Sequence, residues 1–276
     1  GLNANQFKVL KVEEFPAQKQ RRYTVTFLQG KNGKQQLRAR FKTTSGQVYD
    51  QVIHRISYPH IPNLTYFSPA QIQLIQEDWK VSGGKIGYLE GAGDEVSDVL
   101  SSLGYQVNFL TEENLEVDQL NEFQAIVVGI RAYNTQEFLA SKQQILLDYV
   151  KAGGNLILQY NTSSPLVTPN LGPYPFAIGR DRVTVEGSPV QADWEHSLLR
   201  TPNRLEAKDF EAWVQERGLY FASKVDERYQ SPLTLQDPGE VANKGALITT
   251  QFGTGTYMYT GISFFRQLPA GVPGAI

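Results

Sequence analysis

Residues 85–110 read KIGYLEGAGDEVSDVLSSLGYQVNFL, and this stretch decides the fold. Lys85 to Leu89 is a short apolar run of the kind that forms a buried strand. Asp94 to Leu103 then places Val96, Val99, Leu100 and Leu103 on one helical face, and Gly104 stops the helix. Tyr105 to Leu110 is strand-like again. A strand–helix–strand unit of this kind closes into a parallel pair, because the crossover must return the chain to the same end of the sheet.

The same grammar continues downstream. Ala125–Val128 is a third strand, an unbroken apolar run suited to a strand covered on both faces. Thr135 to Lys151 reads as a helix turning Ile145, Leu146, Tyr149 and Val150 to the sheet, with Gly153-Gly154 as its stop. Asn155–Gln159 is a fourth strand. Residues 161–205 are rich in Pro and Gly and read as a long excursion, followed by a helix over Ala207–Arg217. Ala246–Gln251 and Thr256–Gly261 form a hairpin across Phe252-Gly253-Thr254-Gly255. The expected fold class is α/β, a mostly parallel sheet flanked by helices.

Upstream the pattern is different. Phe7–Glu13, Tyr23–Phe27, Leu37–Phe41 and Val48–Ile56 alternate polar and apolar residues, and Gly30–Gly33 and Thr44–Gly46 supply turns. Meandering antiparallel strands in one small sheet, or part of a sandwich, are expected. The charge divides in the same place. Residues 1–63 hold six Lys and five Arg against Glu13, Glu14 and Asp50, a formal +8, and the remainder carries 15 basic against 25 acidic residues, or −10. We therefore expect a small β domain over 1–63, a linker or returning strand over 64–84, and an α/β domain over 85–276. The split predicts an interface of complementary charge between the two, loosened by salt. A basic surface can also bind a polyanion, but no aromatic-interleaved nucleic-acid motif accompanies it, and solvated strand faces explain the charge more simply.

Composition removes several chemistries. The chain has 276 residues, no cysteine and three histidines, His54, His60 and His196. Disulfides, thiolate metal sites and a cysteine nucleophile are excluded, and a multi-histidine metal centre has too few ligands. No apolar run has the roughly 18 residues of a membrane helix. Gly1 and the closing Pro273–Ile276 read as trimmed ends.

Gly91-Ala92-Gly93, after a strand and before a helix, is half of a dinucleotide fingerprint, with Glu112 and Glu113 roughly 20 residues on. Val96 stands where the third small residue belongs, and Asp94 would repel a pyrophosphate at the helix start. Asp94 suits a helix cap better.

Ligands of such sheets bind beyond the C-terminal strand ends. Those ends carry Glu90 and Asp94, then Arg131, Tyr133 and Asn134, then Gln159, Tyr160 and Asn161, with Arg266 after the last hairpin. The set combines amides, rings and one prominent anion holder, Arg131, and suits a sugar. Alternatively Arg131 pairs with Glu90 or Asp94 and only ties loops together. Asp193-Trp194-Glu195-His196 places two carboxylates on one face and Trp194 with His196 on the other, a sugar platform or a surface loop with a half-buried Trp.

From Lys85 onward the chain resembles the class I glutamine amidotransferase-like fold, a flavodoxin-like arrangement, in its trehalose-utilisation (ThuA-like) branch. The resemblance is carried by Ile86-Gly87-Tyr88, Phe123–Gly129, Leu147–Leu156, His196-Ser197-Leu198 and Gly253–Tyr259. More narrowly, YLEGAGDEV, VVGIRAYNT and LILQYNTSSPL resemble the C-terminal region of large secreted bacterial LmbE-like (PIG-L) deacetylases, where this domain follows a small β domain. The resemblance implies a cysteine nucleophile where Gln159-Tyr160-Asn161 stands here, and a His-Pro-Glu segment where Gly261–Phe265 stands. Neither is present, so glutamine hydrolysis has no nucleophile. The His-Pro-Asp-Asp zinc motif of the deacetylases is also missing.

The expectation is thus a non-catalytic accessory pair of domains in a larger N-acetyl-sugar deacetylase, outside the bacterial cytoplasm. It would serve glycan recognition or scaffolding, with a carbohydrate as possible ligand and the deacetylase domain covalently linked. No cofactor, metal, nucleic acid or membrane span is expected. The rival is a carbohydrate-active hydrolase using Glu90, Asp94 and Asp193 with His196.

Overall fold

The computed structural model describes residues 7–18, 20–27, 33–76 and 80–275. The chain divides into two compact units, Gly1–Trp79 and Lys80–Ile276.

The first unit is built from paired strands rather than one meandering sheet. Phe7–Phe15 pairs antiparallel with Gln20–Phe27, and Gln51–Ile56 forms a hairpin with Leu64–Pro69. Gly33–Arg38 pairs with Gln71–Gln76, and Phe41–Lys42 with Val48–Tyr49. The segment 64–84, expected as linker or returning strand, thus carries two paired strands before Lys80. The strand expected over Val48–Ile56 is broken at Asp50. Part of the Gly30–Gly33 turn lies outside the described residues. Among the residues of this unit whose burial is described none is buried, and Val52, Ile53, Leu64, Tyr66 and Phe67 are exposed.

The second unit is α/β. Its strands are β1 (Gly84–Leu89), β2 (Tyr105–Phe109), β3 (Ala125–Val128), β4 (Asn155–Gln159), β5 (Leu247–Phe252) and β6 (Gly255–Thr260). They form one mixed sheet in the order β2-β1-β3-β4-β6-β5. Every pairing is parallel except the last, where β5 runs antiparallel to β6 at the edge. The two flanking helices are α1 (Val96–Ser102) and α2 (Leu139–Lys151).

Alternation along the strands explains how both faces are covered. Leu89, Ile126, Val128, Leu156, Leu158, Tyr257 and Tyr259 pack with Leu139, Leu146, Tyr149 and Val150 of α2. Ile86, Tyr88 and Val127 face the other way, onto Val96 of α1 and onto Phe265 and Leu268. A third cluster lies in the excursion, where Leu199, Phe210, Trp213 and Phe221 meet Leu247 of β5.

Two helices differ from expectation. The helix expected over Thr135–Lys151 is interrupted: Ala132–Thr135 forms one turn, and Gln136 breaks it with φ −106° and ψ 95° before α2 begins. The helix expected over Ala207–Arg217 is only a 3-10 turn at Ala207–Phe210. Its continuation needs the Val214 N–H on the Phe210 carbonyl, and both groups are taken elsewhere. Val214 N donates to Gln267 Oε1 at 2.8 Å, and Arg217 donates to Phe210 O. Ala212 and Gln215 sit at φ 57° and 70°, outside any right-handed helix.

Candidate functional site

The strand order reverses between β1 and β3, and the chains leaving their C-terminal ends part to opposite faces. A crevice for ligands is expected at such a point. Here the protein closes it with its own backbone. Gly129 N donates to Leu89 O at 2.8 Å, and Ala92 N donates to Ile130 O at 2.8 Å. The approach is so close that a Cβ on Gly91 would stand 2.0 Å from the Ile130 carbonyl oxygen.

Asp94 completes this closure. Its carboxylate accepts from the Tyr88 hydroxyl, from Val96 N at 3.0 Å and from Ile130 N at 3.1 Å. The helix starts at Val96 with Glu95 in the cap position. Asp94 thus stands one residue further out than a cap, takes the first helical amide, pins the start of the β3 crossover and holds a buried phenol. Burial first, and then the Asp94 charge, push the Tyr88 hydroxyl well above the usual phenol range, so it remains a donor. Gln159 donates its Nε2 to the Tyr88 oxygen at 3.2 Å. Its Oε1 has no partner among the described residues, although the side chain is only 1% exposed.

Most of the other expected binding residues are also engaged internally. Tyr133 is buried, and its hydroxyl donates to Gln143. Asn161 is buried, accepting from Tyr133 N at 2.8 Å and donating to Gln159 O at 2.9 Å. Asn134 accepts from Thr162 N at 2.9 Å and donates to Thr162 O at 3.1 Å. These three residues tie the loops at the strand ends together. Tyr160 stacks on Tyr220 with ring centroids 5.9 Å apart and interplanar angle 8°. Burial raises the Tyr160 hydroxyl, and the nearby Arg131 and Arg266 oppose that rise. Arg266 is paired with Glu216 at 2.9 Å.

Arg131 and Glu90 remain exposed. The alternative in which Arg131 pairs with Glu90 or Asp94 is not realised: no ion pair of Arg131 occurs among the described residues. Its backbone is left-handed, φ 58° and ψ 20°, with its N–H on Tyr160 O at 2.8 Å.

Asp193 and His196 are not on this rim. Asp193 caps its own turn, accepting from Glu195 N at 3.2 Å. His196 Nδ1 accepts from Leu198 N at 3.2 Å, and its Nε2 meets Gln230 Oε1 at 2.7 Å. An Nδ1 that accepts leaves Nε2 as the donor of a neutral ring. His196 lines an open groove of about 920 Å³, together with Asn155 at the start of β4 and Thr249 of β5. Asp94 is tied to the opposite, C-terminal end of the strands. The four groups of the rival hydrolase therefore do not converge. No cluster of three His, Asp or Glu side chains suited to a metal occurs among the described residues.

Tyr88, inside the apolar run of β1, and Gln230, in a loop without pattern, carry no site signal in the sequence. No helix among the described residues is long and apolar enough to cross a membrane.

No protein-family profile matches the chain, and no curated protein is similar to it in sequence. Among solved structures it is similar to a ThuA-like protein from Bacteroides uniformis, with 12% identity and TM-score 0.42, over 72% of this chain and 91% of that one. It is also similar to a protein from Thermoplasma acidophilum named for GMP synthase, with 10% identity and TM-score 0.41, over 71% of this chain and 95% of that one. A β-galactosidase from Rahnella is 13% identical with TM-score 0.38, over 69% of this chain and 32% of the galactosidase.

Proposed function

We propose that residues 80–276 form a non-catalytic accessory unit of a larger carbohydrate-active enzyme. The observation that carries this reading is the fate of Asp94. An acid–base carboxylate has to face a substrate, whereas this one receives a phenol and two backbone amides at the place where the sheet would open. The side-chain amides of Asn134 and Asn161 at the other strand ends are spent in the same way. The rim braces its own crossovers, and the unit acts by recognition or by scaffolding beside a catalytic domain.

The sequence resemblance supplies the finer part of the proposal. On that resemblance we propose that the catalytic neighbour is a covalently linked LmbE-like N-acetyl-sugar deacetylase, that the protein acts outside the bacterial cytoplasm, and that the α/β unit is a ThuA-like amidotransferase relative with Gln159-Tyr160-Asn161 at the nucleophile position.

The test is direct. Purified chain is assayed for glutaminase activity and for deacetylation of N-acetylglucosamine oligomers, alongside Glu90→Gln and Asp94→Asn. The expected result is no turnover by any of the three, with Asp94→Asn lowering the melting temperature. Turnover by the wild type that either substitution abolishes would overturn the proposal.

A further inference from the structure

We infer that the groove over β4, β6 and β5 is a binding site for a neutral oligosaccharide. The register puts Asn155, Thr256 and Gln251 in one row across the three strands, and Ile157, Met258 and Thr249 in the next. All six line the groove. The floor thus sets a band of two amides and a hydroxyl beside a band of Ile157, Met258 and Thr249, whose own hydroxyl is turned to Tyr257 O at 3.0 Å. A sugar ring has matching chemistry, C–H faces bordered by hydroxyls. At about 920 Å³ the groove is at the upper end of ordinary small-ligand sites, roughly 300–1,000 Å³.

Charge narrows the ligand further. Among the described residues no carboxylate lines the groove, so a cation finds no counter-ion there. The one permanent cation among those lining residues, Arg228, is already matched by Asp226, with Nε on Oδ1 at 2.7 Å and Nη2 on Oδ2 at 2.8 Å, and its guanidinium lies 3.6 Å from the Tyr174 ring centroid. An anion is therefore not favoured either. A peptide strand added at the edge is blocked at Thr249, whose N–H and C=O are both bonded to the Gln230 backbone, at 2.9 and 2.8 Å. What remains is a neutral ligand held by hydrogen bonds to planar amides.

His196 contributes by position. Its Nε2–H holds the Gln230 Oε1, so the Gln230 Nε2 is the amide atom left to meet a ligand. His196 is a positioning residue here, not a catalytic one.

The site differs from the strand-end rim, so the two are separable by experiment. The full chain is screened on an array of neutral and acidic glycans, and the strongest neutral ligand is titrated calorimetrically against wild type, the double variant Gln230→Ala with Thr256→Val, and Arg131→Ala. The Gln230 backbone bridge survives in the double variant, and unchanged melting curves verify its fold. The expected result is neutral-glycan binding, weakened about tenfold or more in the double variant and unchanged in Arg131→Ala. Binding confined to acidic glycans, no glycan binding, or loss in Arg131→Ala alone would overturn the assignment. The last outcome moves the ligand to the rim without touching the non-catalytic reading. Turnover of a glycan that the double variant abolishes would keep the site but overturn that reading.

Discussion

Asp237 shows how a single carboxylate is fixed by its donors. It is nearly buried, yet it accepts from Thr184 N at 2.8 Å, Thr184 Oγ1 at 2.9 Å, Val185 N at 2.9 Å and Ser188 Oγ at 3.0 Å. Burial alone would raise its pKa. The four donors outweigh burial and hold the carboxyl below the usual range. A folded-state pKa below the unfolded value contributes stability above about pH 3.9, and this is lost as pH falls through the native value. Asp237→Asn turns an amide N–H toward existing donors, so we expect a loss of roughly 1–3 kcal/mol at neutral pH. The difference from wild type should shrink in acid, measured by urea unfolding across pH 2–7. A constant difference would disprove the account. The sequence could expose Asp94 as a carboxylate serving the start of α1, although the cap position itself falls to Glu95. It could not expose Asp237, whose donors lie about 50 residues away in a loop.

At the scale of elements, the sheet was legible and its loops were not. Strands buried on both faces write themselves as apolar runs, and Gly104 and Gly153-Gly154 marked the stops of the two helices before β2 and β4. The segment 207–217 carries apolar residues at helical spacing, but that spacing reflects packing of Phe210 and Trp213 in the excursion core. Two side chains decide its backbone, Gln267, whose Oε1 accepts from Val214 N across 53 residues, and Arg217, which donates to Phe210 O, and helical spacing contains neither. The β1 and β3 crossovers give the element-level prediction. Gly91→Ala sets a methyl 2.0 Å from one backbone oxygen and 2.8 Å from the Ala132 nitrogen, neither of which can swing aside. The substitution should cost roughly 2–4 kcal/mol by chemical denaturation. A neutral result would show that the crossovers are not braced here.

The two units differ in how much core is seen. Three clusters of buried residues stabilise 80–276, whereas none of the residues before Lys80 whose burial is described is buried. Burial of apolar area is the main term that offsets chain entropy, so we expect the first unit to gain little stability of its own. Residues 80–276 made alone should melt in one cooperative transition, and residues 1–79 made alone should show none by calorimetry. A cooperative transition in 1–79 would refute this. The alternating pattern there announced strands correctly but carried no information on what covers them, because period 2 reports facing and not partners.

The placement of β6 has a consequence for biosynthesis. It lies between β4 and β5, and its pairing with β4 joins residues about a hundred positions apart in sequence. While the ribosome is still delivering the excursion, β1 to β4 are complete, and β4 presents a bare row of backbone donors and acceptors with hydrophobic flanks. Such an edge recruits strands from neighbouring nascent chains as readily as its own. The arrival of Gly255–Thr260 closes that interval, so the yield of soluble protein depends on how quickly the last hairpin docks.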